Sequence, residues 1–360
     1  MTYLSAIILL GILIFVHELG HFLVAKISGV KVLKFSLGFG PTLIGKKLGD
    51  TEYVISAVPL GGYVKMLGED PDDDFSQEEK DVAYSNQSIL KRFLIVATGP
   101  SFNLLLAYVI FVVFIAIQLP IRIPTFDTFS PAIDKIVEES PASKAGLQEG
   151  DVIVSINGKS ISTWVEMTKI ITENPGKEVS VEIMRNGEKL SKIIVPEEQV
   201  VTDDEGQEKK VGRIGIVKKP HMKEIKSSSL VSAPILGLKA TYEWSAFVLE
   251  TIWKFITGTI GAKNIGGPIA IVEETSKAAA EGLFAYLMFM AIISINLGIL
   301  NLLPIPILDG GHLAFLSIEA IRGKPLTQNS QVLIQKVGLV LLLALMTLAF
   351  YNDIMRLITD

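Results

Sequence analysis

The chain alternates between long apolar runs and mixed, polar stretches. Four runs are almost wholly apolar and occupy residues 3–25, 93–119, 283–303 and 333–351. Each can cross a bilayer as a helix, because about 20 residues at about 1.5 Å per residue span a hydrocarbon core about 30 Å thick. The pattern therefore predicts a multi-pass α-helical membrane protein with four transmembrane helices.

The segment between the first two runs has a β-like pattern. Residues 50–67 are strand-like but are interrupted by Pro59 and by the pair Gly61 and Gly62. The sequence Gly-Phe-Gly-Pro at 38–41 is typical of a turn. The strand-like stretch could re-enter the membrane, provided that protein or water satisfies its backbone. It could also form an ordinary cytoplasmic hairpin, and the sequence leaves both open.

Residues 121–217 are soluble in composition, with charged residues and short strand-like runs. Asn-Gly dipeptides at 157–158 and 186–187 are strong hairpin signals. With a helical pattern at 164–172, the stretch 140–158 resembles the hallmark of a bacterial PDZ domain. The resemblance implies an inserted α+β domain that binds extended peptides, such as a protein C-terminus, by β-strand addition. The alternative is a PDZ fold that serves only as a spacer or size filter.

Residues 218–282 predict amphipathic helices that lie on the outer surface, and no further span. The stretch 230–260 alternates apolar and polar residues, and Trp244 and Trp253 are typical of anchors at a membrane interface. Residues 264–271 predict a turn before another helix.

Basic residues determine the predicted orientation. Lys and Arg concentrate in residues 26–92 and recur at 322–336, so both segments face the cytoplasm by the positive-inside rule. Both termini and the domain at 121–217 are then extracytoplasmic. The formal net charge of −5 gives no indication of nucleic-acid binding. The expected partners are the lipid bilayer and other proteins.

One motif in the first apolar run contains residues that can bind a metal ion and activate water. His17 and His21 lie on one face of a helix, and Glu18 directly follows the first histidine. Two such histidines can hold a metal ion, with the glutamate beside it to activate water. The alternative is a pair of histidines near a membrane interface, but ionisable groups at membrane depth are costly. The chain has no cysteine, so the ligands must be His, Asp, Glu or water, which suits zinc.

A carboxylate after the third run is placed to complete this set. The predicted topology puts Asp309 in the same, cytoplasmic half of the membrane as the two histidines. Taken alone, Asp309 is better explained as a cap of the next helix, but the histidines at matching depth favour a third metal ligand. Asn103 could tie two helices together or face the site. His312 could support Asp309 or be an ordinary interfacial residue.

Together these features resemble the site-2 protease family of intramembrane zinc metalloproteases, and within it the bacterial branch similar to the regulator of sigma-E protease. The resemblance covers essentially the whole chain. Besides the histidine motif, the glycine pair and the PDZ-like domain, it rests on the pattern Asn301-x-x-Pro304-x-Pro306-x-x-Asp309-Gly310. Some members carry two tandem PDZ domains, whereas this chain shows one.

The resemblance implies roles for individual residues. His17, His21 and Asp309 would bind Zn²⁺ with a water as the fourth ligand, and Glu18 would act as general base. The residues implied in substrate binding are Asn301, Pro304, Gly61 and Gly62.

The predicted function is that of an intramembrane zinc endopeptidase in the bacterial cytoplasmic (inner) membrane. It would cut single-pass transmembrane proteins in regulated intramembrane proteolysis, among them anti-sigma factors after prior trimming and remnant signal peptides. The alternative is a PDZ-bearing membrane scaffold without catalytic activity, which has no need of the intact motif. The sequence leaves the substrate, the PDZ ligand and the oligomeric state open.

Overall fold

A computed structural model describes residues 2–69, 75–124, 130–202, 208–217, 222–226, 229–257 and 266–359. The chain divides into two compact units. The first comprises Met1–Ile121, Ile225–Leu249 and Ala262–Asp360, and the second comprises Arg122–Glu224 and Glu250–Gly261.

The described helices and strands are numbered in chain order. The helices are α1 (Thr2–Ile27), α2 (Ile89–Ala116), α3 (Pro141–Lys144), α4 (Trp164–Thr172), α5 (Ala233–Ile256), α6 (Pro268–Glu281), α7 (Leu283–Leu302), α8 (Asp309–Arg322) and α9 (Gln328–Thr359). The strands are β1 (Val32–Leu48), β2 (Thr51–Met66), β3 (Ile121–Pro124), β4 (Lys135–Ile136), β5 (Val152–Ile156), β6 (Lys159–Ser160), β7 (Val179–Arg185), β8 (Glu188–Ile194), β9 (Glu197–Thr202), β10 (Glu208–Arg213), β11 (Ile216–Val217) and β12 (Met222–Ile225).

Among the described residues, four helices are long and apolar enough to cross a membrane, namely α1, α2, α7 and α9. They contain or closely overlap the four predicted runs, and the predicted fold class is confirmed. The helices do not end where the apolar runs end. Helix α9 continues well beyond 333–351 at both ends, because backbone hydrogen bonding extends a helix through polar residues that hydropathy alone does not count.

Glycines allow the membrane helices of the first unit to approach closely. A Cβ at Gly20 of α1 would lie 2.5 Å from the carbonyl oxygen of Thr98 in α2. A Cβ at Gly298 of α7 would lie 3.0 Å from the carbonyl oxygen of Pro100, also in α2. Helix α2 therefore packs between α1 and α7 with its backbone near both.

Strands β1 and β2 form an antiparallel hairpin that follows α1. Ser36 lies opposite both Tyr63 and Val54, so the first part of β1 runs between the two halves of β2. Residues 38–41 are counted within β1, but the chain reverses direction there, as the predicted turn requires. Residues 34–37 pair with residues 52–55 in the same direction, whereas residues 44–47 pair with the same segment in the opposite direction. Gly38 and Gly40 have φ of 93° and 85°, which glycine adopts readily in a turn.

The two parts of the hairpin differ in burial. The part next to α1 encloses a core with Phe35 and Val64, which pack with Ala25 and Ile95 of the helices. The distal part is open, and Ile44 is 68 % exposed. The hairpin thus presents an apolar surface that this chain does not cover within the described residues.

The second unit is built on a sheet with strand order β6-β5-β7-β8. Residues of this sheet form a core with Ile133 and with Met167 of α4. Asn157 and Asn186 have φ of 50° and 51°, as two-residue hairpin turns require. Thr163 and Glu166 form a capping box at the start of α4. The order of short helix, strand, hairpin, helix and hairpin is the one predicted for a PDZ-like domain.

Helices α5 and α6 occupy the stretch predicted to be amphipathic. Trp244 is 7 % exposed and so is buried within its unit, whereas Trp253 is 65 % exposed; the expected anchor role of Trp244 is therefore wrong. A Cβ at Gly237 would lie 2.5 Å from Val112 of α2, so α5 packs against a membrane helix. Residues 264 and 265 of the predicted turn lie outside the described residues, and Pro268 already begins α6, where its fixed φ suits the first helical position.

Candidate metal centre

The two histidines of α1 direct the same ring nitrogen to one point. Their ring centroids are 4.9 Å apart and their planes are nearly perpendicular. The two Nε2 atoms are 3.3 Å apart. Two ligands about 2 Å from a tetrahedral metal are separated by about 3.3 Å, so the spacing suits a shared ion.

Asp309 completes the group from the first residue of α8. Its Oδ2 lies 3.1 Å from Nε2 of His17, and its Oδ1 lies 3.5 Å from Nε2 of His21. One ligand atom from each of the three residues can be chosen so that all lie within 4.8 Å of one another. The N-cap position of α8 belongs to Leu308, which makes no side-chain cap hydrogen bond. The carboxylate therefore faces the histidines and does not cap its helix.

Glycines in the first turn of α8 bring Asp309 to this position. A Cβ at Gly310 would overlap the carbonyl oxygen of Leu303, and a Cβ at Gly311 would lie 2.5 Å from that of Ile305. The start of α8 is thus pressed against the chain that links it to α7. Burial alone would raise the pKa of the Asp309 carboxyl, but the two imidazoles beside it hold this pKa far below its usual value. The ionised carboxylate is the form that can bind a metal.

Residues of helix α2 contact the Nδ1 atoms of both histidines, on the ring side that faces away from Asp309. His21 donates from Nδ1 to the carbonyl oxygen of Ile95 at 2.8 Å, and its ring lies against Gly99. The side-chain amide of Asn103 lies 3.1 Å from Nδ1 of His17. Of the two alternatives for Asn103, the structure favours the one in which it faces the site. The role of the Ile95 carbonyl could not be found from sequence, since a backbone acceptor has no residue signature.

Glu18 lies beside the three groups and near the hairpin. A Cβ placed on Gly62 would be 3.0 Å from Cγ of Glu18, so the absence of a side chain there brings the strand close to the glutamate. Glu18 and the three candidate ligands line a cavity of about 1070 Å³ within the first unit. The cavity gives the group room for a water and for a substrate segment.

The remaining predicted site residues are distributed unevenly around this cavity. Gly62 lines it, whereas Gly61 packs against the ring of Phe39. Asn301 is in the last turn of α7, and Pro304 is exposed in the link to α8; neither is among the cavity-lining residues. Their substrate contacts stay predictions.

His312 borders the cavity one turn after Asp309. Its ring meets that of Phe315 edge-on, with centroids 6.2 Å apart. Within the described part of the chain no hydrogen bond joins His312 to Asp309, so direct support of the carboxylate is not seen.

The donor set fits a catalytic zinc ion. Two imidazole nitrogens and one carboxylate oxygen converge, which is the three-ligand arrangement that leaves a fourth position for water. The hydrogen bond from Nδ1 of His21 to the carbonyl oxygen of Ile95 is of the kind that orients a histidine ligand. Helices of membrane-spanning length that carry such a group, with a glutamate beside it, define a membrane-embedded metal hydrolase.

Comparison with known proteins assigns the family. The model of peptidase family M50 matches residues 5–345, and the chain belongs to this family of metalloproteases. A putative zinc metalloprotease of Rickettsia conorii is 39 % identical, over 99 % of both chains. The regulator of sigma-E protease RseP of Escherichia coli is 32 % identical, over 98 % of both chains. The chain is accordingly a zinc metalloprotease, and the predicted enzyme class and cofactor are confirmed.

The alignment with the Escherichia coli protein runs over 448 positions, more than the 360 residues of this chain. Part of that relative therefore has no counterpart here. Among solved structures, the PDZ domain of an SdrC-like protein from Listeria innocua is 22 % identical with a TM-score of 0.21, and it covers 26 % of this chain and 96 % of that domain.

Proposed function

We propose that this zinc metalloprotease cleaves single-pass membrane proteins within their transmembrane segments. The observation that carries the proposal is the position of the candidate metal group. His17, Glu18 and His21 lie inside α1, a helix with the length and apolar composition of a membrane span. A protease that acts only on soluble chains would gain nothing from placing its water-dependent chemistry there.

Each group has a defined task. His17, His21 and Asp309 would hold Zn²⁺, which when bound lowers the pKa of a water and polarises the scissile carbonyl. Glu18 takes the proton of the attacking water and delivers it to the leaving amine. The cavity admits the water, and the surrounding apolar helices exclude it from the rest of the span.

The hairpin supplies a means of presenting the substrate. A helical segment hides its amides in internal hydrogen bonds, so a turn must open before water can attack. Residues from Gly62 to Met66 pair with the first part of β1 on one side, and several of them line the cavity. A substrate strand that adds to the opposite edge of this strand replaces the hydrogen bonds lost on unwinding. We assign Gly61 and Gly62, with Asn301 and Pro304, to this step.

The remaining features point to the bacterial inner membrane. The basic residues around the hairpin support a position of the hairpin, and with it of the active site, near the cytoplasm. Both termini and the PDZ-like unit are then extracytoplasmic, where the unit would receive a peptide or a protein C-terminus. By likeness to the sigma-E regulator, suitable substrates are anti-sigma factors already trimmed by another protease, and remnant signal peptides.

The orientation can be tested by labelling single introduced cysteines, because the chain has no cysteine of its own that would react. Lys80 and Lys189 are both exposed, in the first and second unit respectively. A membrane-impermeant maleimide should label Lys189→Cys in intact spheroplasts and Lys80→Cys only after lysis. The reverse pattern would overturn the proposed topology.

The catalytic role is tested with Glu18→Gln in detergent-solubilised protein and a transmembrane substrate. We expect zinc content to stay at the wild-type level while cleavage is lost. Glu273→Gln, the same exchange on α6 at a side chain that is 44 % exposed, should cleave normally. Unchanged cleavage by Glu18→Gln would refute the mechanism, and a purified wild type without bound zinc would favour the scaffold. A soluble substrate cut as fast as its membrane form would refute the intramembrane specificity.

A further inference from the structure

The hydrogen bond behind His21 fixes which of its ring nitrogens carries the proton. Nδ1 lies 2.8 Å from the carbonyl oxygen of Ile95. A carbonyl oxygen can only accept, so Nδ1 holds the hydrogen, and in the neutral ring Nε2 keeps a free lone pair. That lone pair is directed at the group shared with Asp309, as a metal ligand requires.

His17 needs the same tautomer, since its Nε2 also faces Asp309 and lies 3.3 Å from Nε2 of His21. The group behind its Nδ1 is the side-chain amide of Asn103, which is completely buried. The amide nitrogen Nδ2 faces the ring at 3.1 Å. The amide oxygen Oδ1 is buried and has no hydrogen-bond partner among the described atoms.

An amide nitrogen facing Nδ1 is incompatible with a bound metal. It donates to Nδ1, so the proton of a neutral ring must sit on Nε2 and occupy the ligand position. A half-turn of the amide exchanges two atoms of nearly equal size and leaves the packing unchanged. The buried oxygen then accepts from Nδ1–H of His17, and Nε2 is free.

We propose that Asn103 is a positioning residue that holds His17 in its metal-binding tautomer through the side-chain oxygen. The inference rests on the proposed role of His17 as a zinc ligand. Asn103 acts on the metal only through His17, in the way that hydrogen-bond partners behind metal ligands set ring orientation.

The surroundings keep Asn103 in place for this task. Ser294 of α7 donates from its hydroxyl to the backbone carbonyl of Asn103 at 2.7 Å, and Ser294 is fully buried. Along α2, Ile95, Gly99 and Asn103 succeed one another at helical spacing on the face that meets α1. One rigid face of α2 thus supplies an acceptor to each histidine.

Two variants distinguish the effect of the oxygen acceptor from the effect of side-chain packing. Asn103→Leu keeps a similar volume without an acceptor, and Asn103→Asp keeps the shape and offers an acceptor. Zinc affinity of the full-length protein in detergent is measured by competition with a chelator. We expect Asn103→Leu to bind Zn²⁺ about 10- to 100-fold more weakly, and Asn103→Asp to stay close to the wild type. Equal affinity of Asn103→Leu and wild type, or equal loss in both variants, would overturn the proposal.

A second measurement needs no variant at this position. The ¹⁵N shifts of labelled histidines in the metal-free wild type, at a pH where the rings are neutral, report the tautomer of each ring. We expect the proton of His17 on Nδ1, and a proton on Nε2 would overturn the proposal. Assignment uses His17→Gln. A wild type that binds no zinc would instead refute the proposed function, so the two failures are distinguishable.

Discussion

Arg92 of α2 and Glu319 of α8 form a bidentate ion pair. Nη2 donates to Oε1 at 2.6 Å and Nη1 donates to Oε2 at 3.1 Å, and the two side chains are only 15 % and 14 % exposed. Nε of the same guanidinium donates to the carbonyl oxygen of Gln87 at 3.1 Å. Because Asp309 begins α8, the pair fastens the helix that bears the carboxylate to the helix that backs both histidines.

Separating this pair should weaken zinc binding. Arg92→Ala or Glu319→Ala leaves one charge in a largely buried place without its partner, which costs about 3–5 kcal/mol where burial is complete. We expect a lower unfolding temperature, weaker zinc binding and slower cleavage, and partial recovery in the exchanged pair Arg92→Glu with Glu319→Arg. Lys277→Ala, which breaks an exposed pair with Glu273, should change little. Wild-type zinc affinity in both single variants would show that α8 is held by other contacts.

Gly99 should tolerate no side chain. A Cβ there would lie 2.9 Å from Cδ2 of His21 and closer still to Nε2 and Cε1. Gly99→Ala must displace the ring, and we expect zinc affinity to fall about tenfold, equivalent to about 1.4 kcal/mol. Gly11→Ala is the matched control, because nothing lies within 4 Å of a Cβ at that position in α1. Equal zinc affinity in the two variants would contradict the close packing of ring and helix.

The carboxylate of Asp353 in α9 caps the N-terminus of α6. Its Oδ1 accepts from the amide of Gly267 at 2.9 Å, and its Oδ2 accepts from those of Ile269 and Ala270 at 2.9 and 3.1 Å. The residue is 1 % exposed. Removing this cap with Asp353→Ala should destabilise the protein by about 2 kcal/mol.

The direct measurement of this cap is hydrogen exchange at the three amides. We expect their exchange to accelerate in Asp353→Ala and to be intermediate in Asp353→Asn, which keeps one oxygen acceptor. Unchanged protection of these amides would mean that α6 holds its first turn without the carboxylate.

The PDZ-like unit should lose stability in acid through Asp151. Burial alone would raise the pKa of this carboxyl, but hydrogen bonds from Arg185 and from the amide of Gln148 outweigh burial and hold the pKa below its usual value. The folded pKa is thus lower than the unfolded value of about 3.9. The stabilisation is complete above that value and is lost as the pH falls through the folded pKa.

Exchange of the amides in β5 and β7 of the intact protein, corrected for intrinsic rates, measures this effect. Protection in the wild type should fall as the pH drops below about 4, and it should depend less on pH in Asp151→Asn. The same pH dependence in both proteins would assign the acid sensitivity to other groups.

Much of the architecture follows from local sequence signals. Four helices of spanning length follow from hydropathy, because the bilayer fixes the length of an apolar run. The turns at Asn157 and Asn186 follow from the preference of Asn-Gly for positive φ. The position of His17 and His21 on the same face of α1 follows from helical periodicity.

The contacts that complete the site do not follow from such signals. The pairing of Arg92 with Glu319 joins residues 227 positions apart, and many charged residues were possible partners. Trp244 is amphipathic enough for an interface, yet it is buried within its unit.

The position of Asp309 in the chain also governs when activity can arise during biosynthesis. The two histidines enter the membrane with α1, whereas the carboxylate follows only after α7 has been made. A nascent chain that holds α1 and the hairpin alone has an incomplete ligand set. With the proposed ligand set, a newly synthesised molecule therefore acquires hydrolytic activity only after Asp309 has left the ribosome.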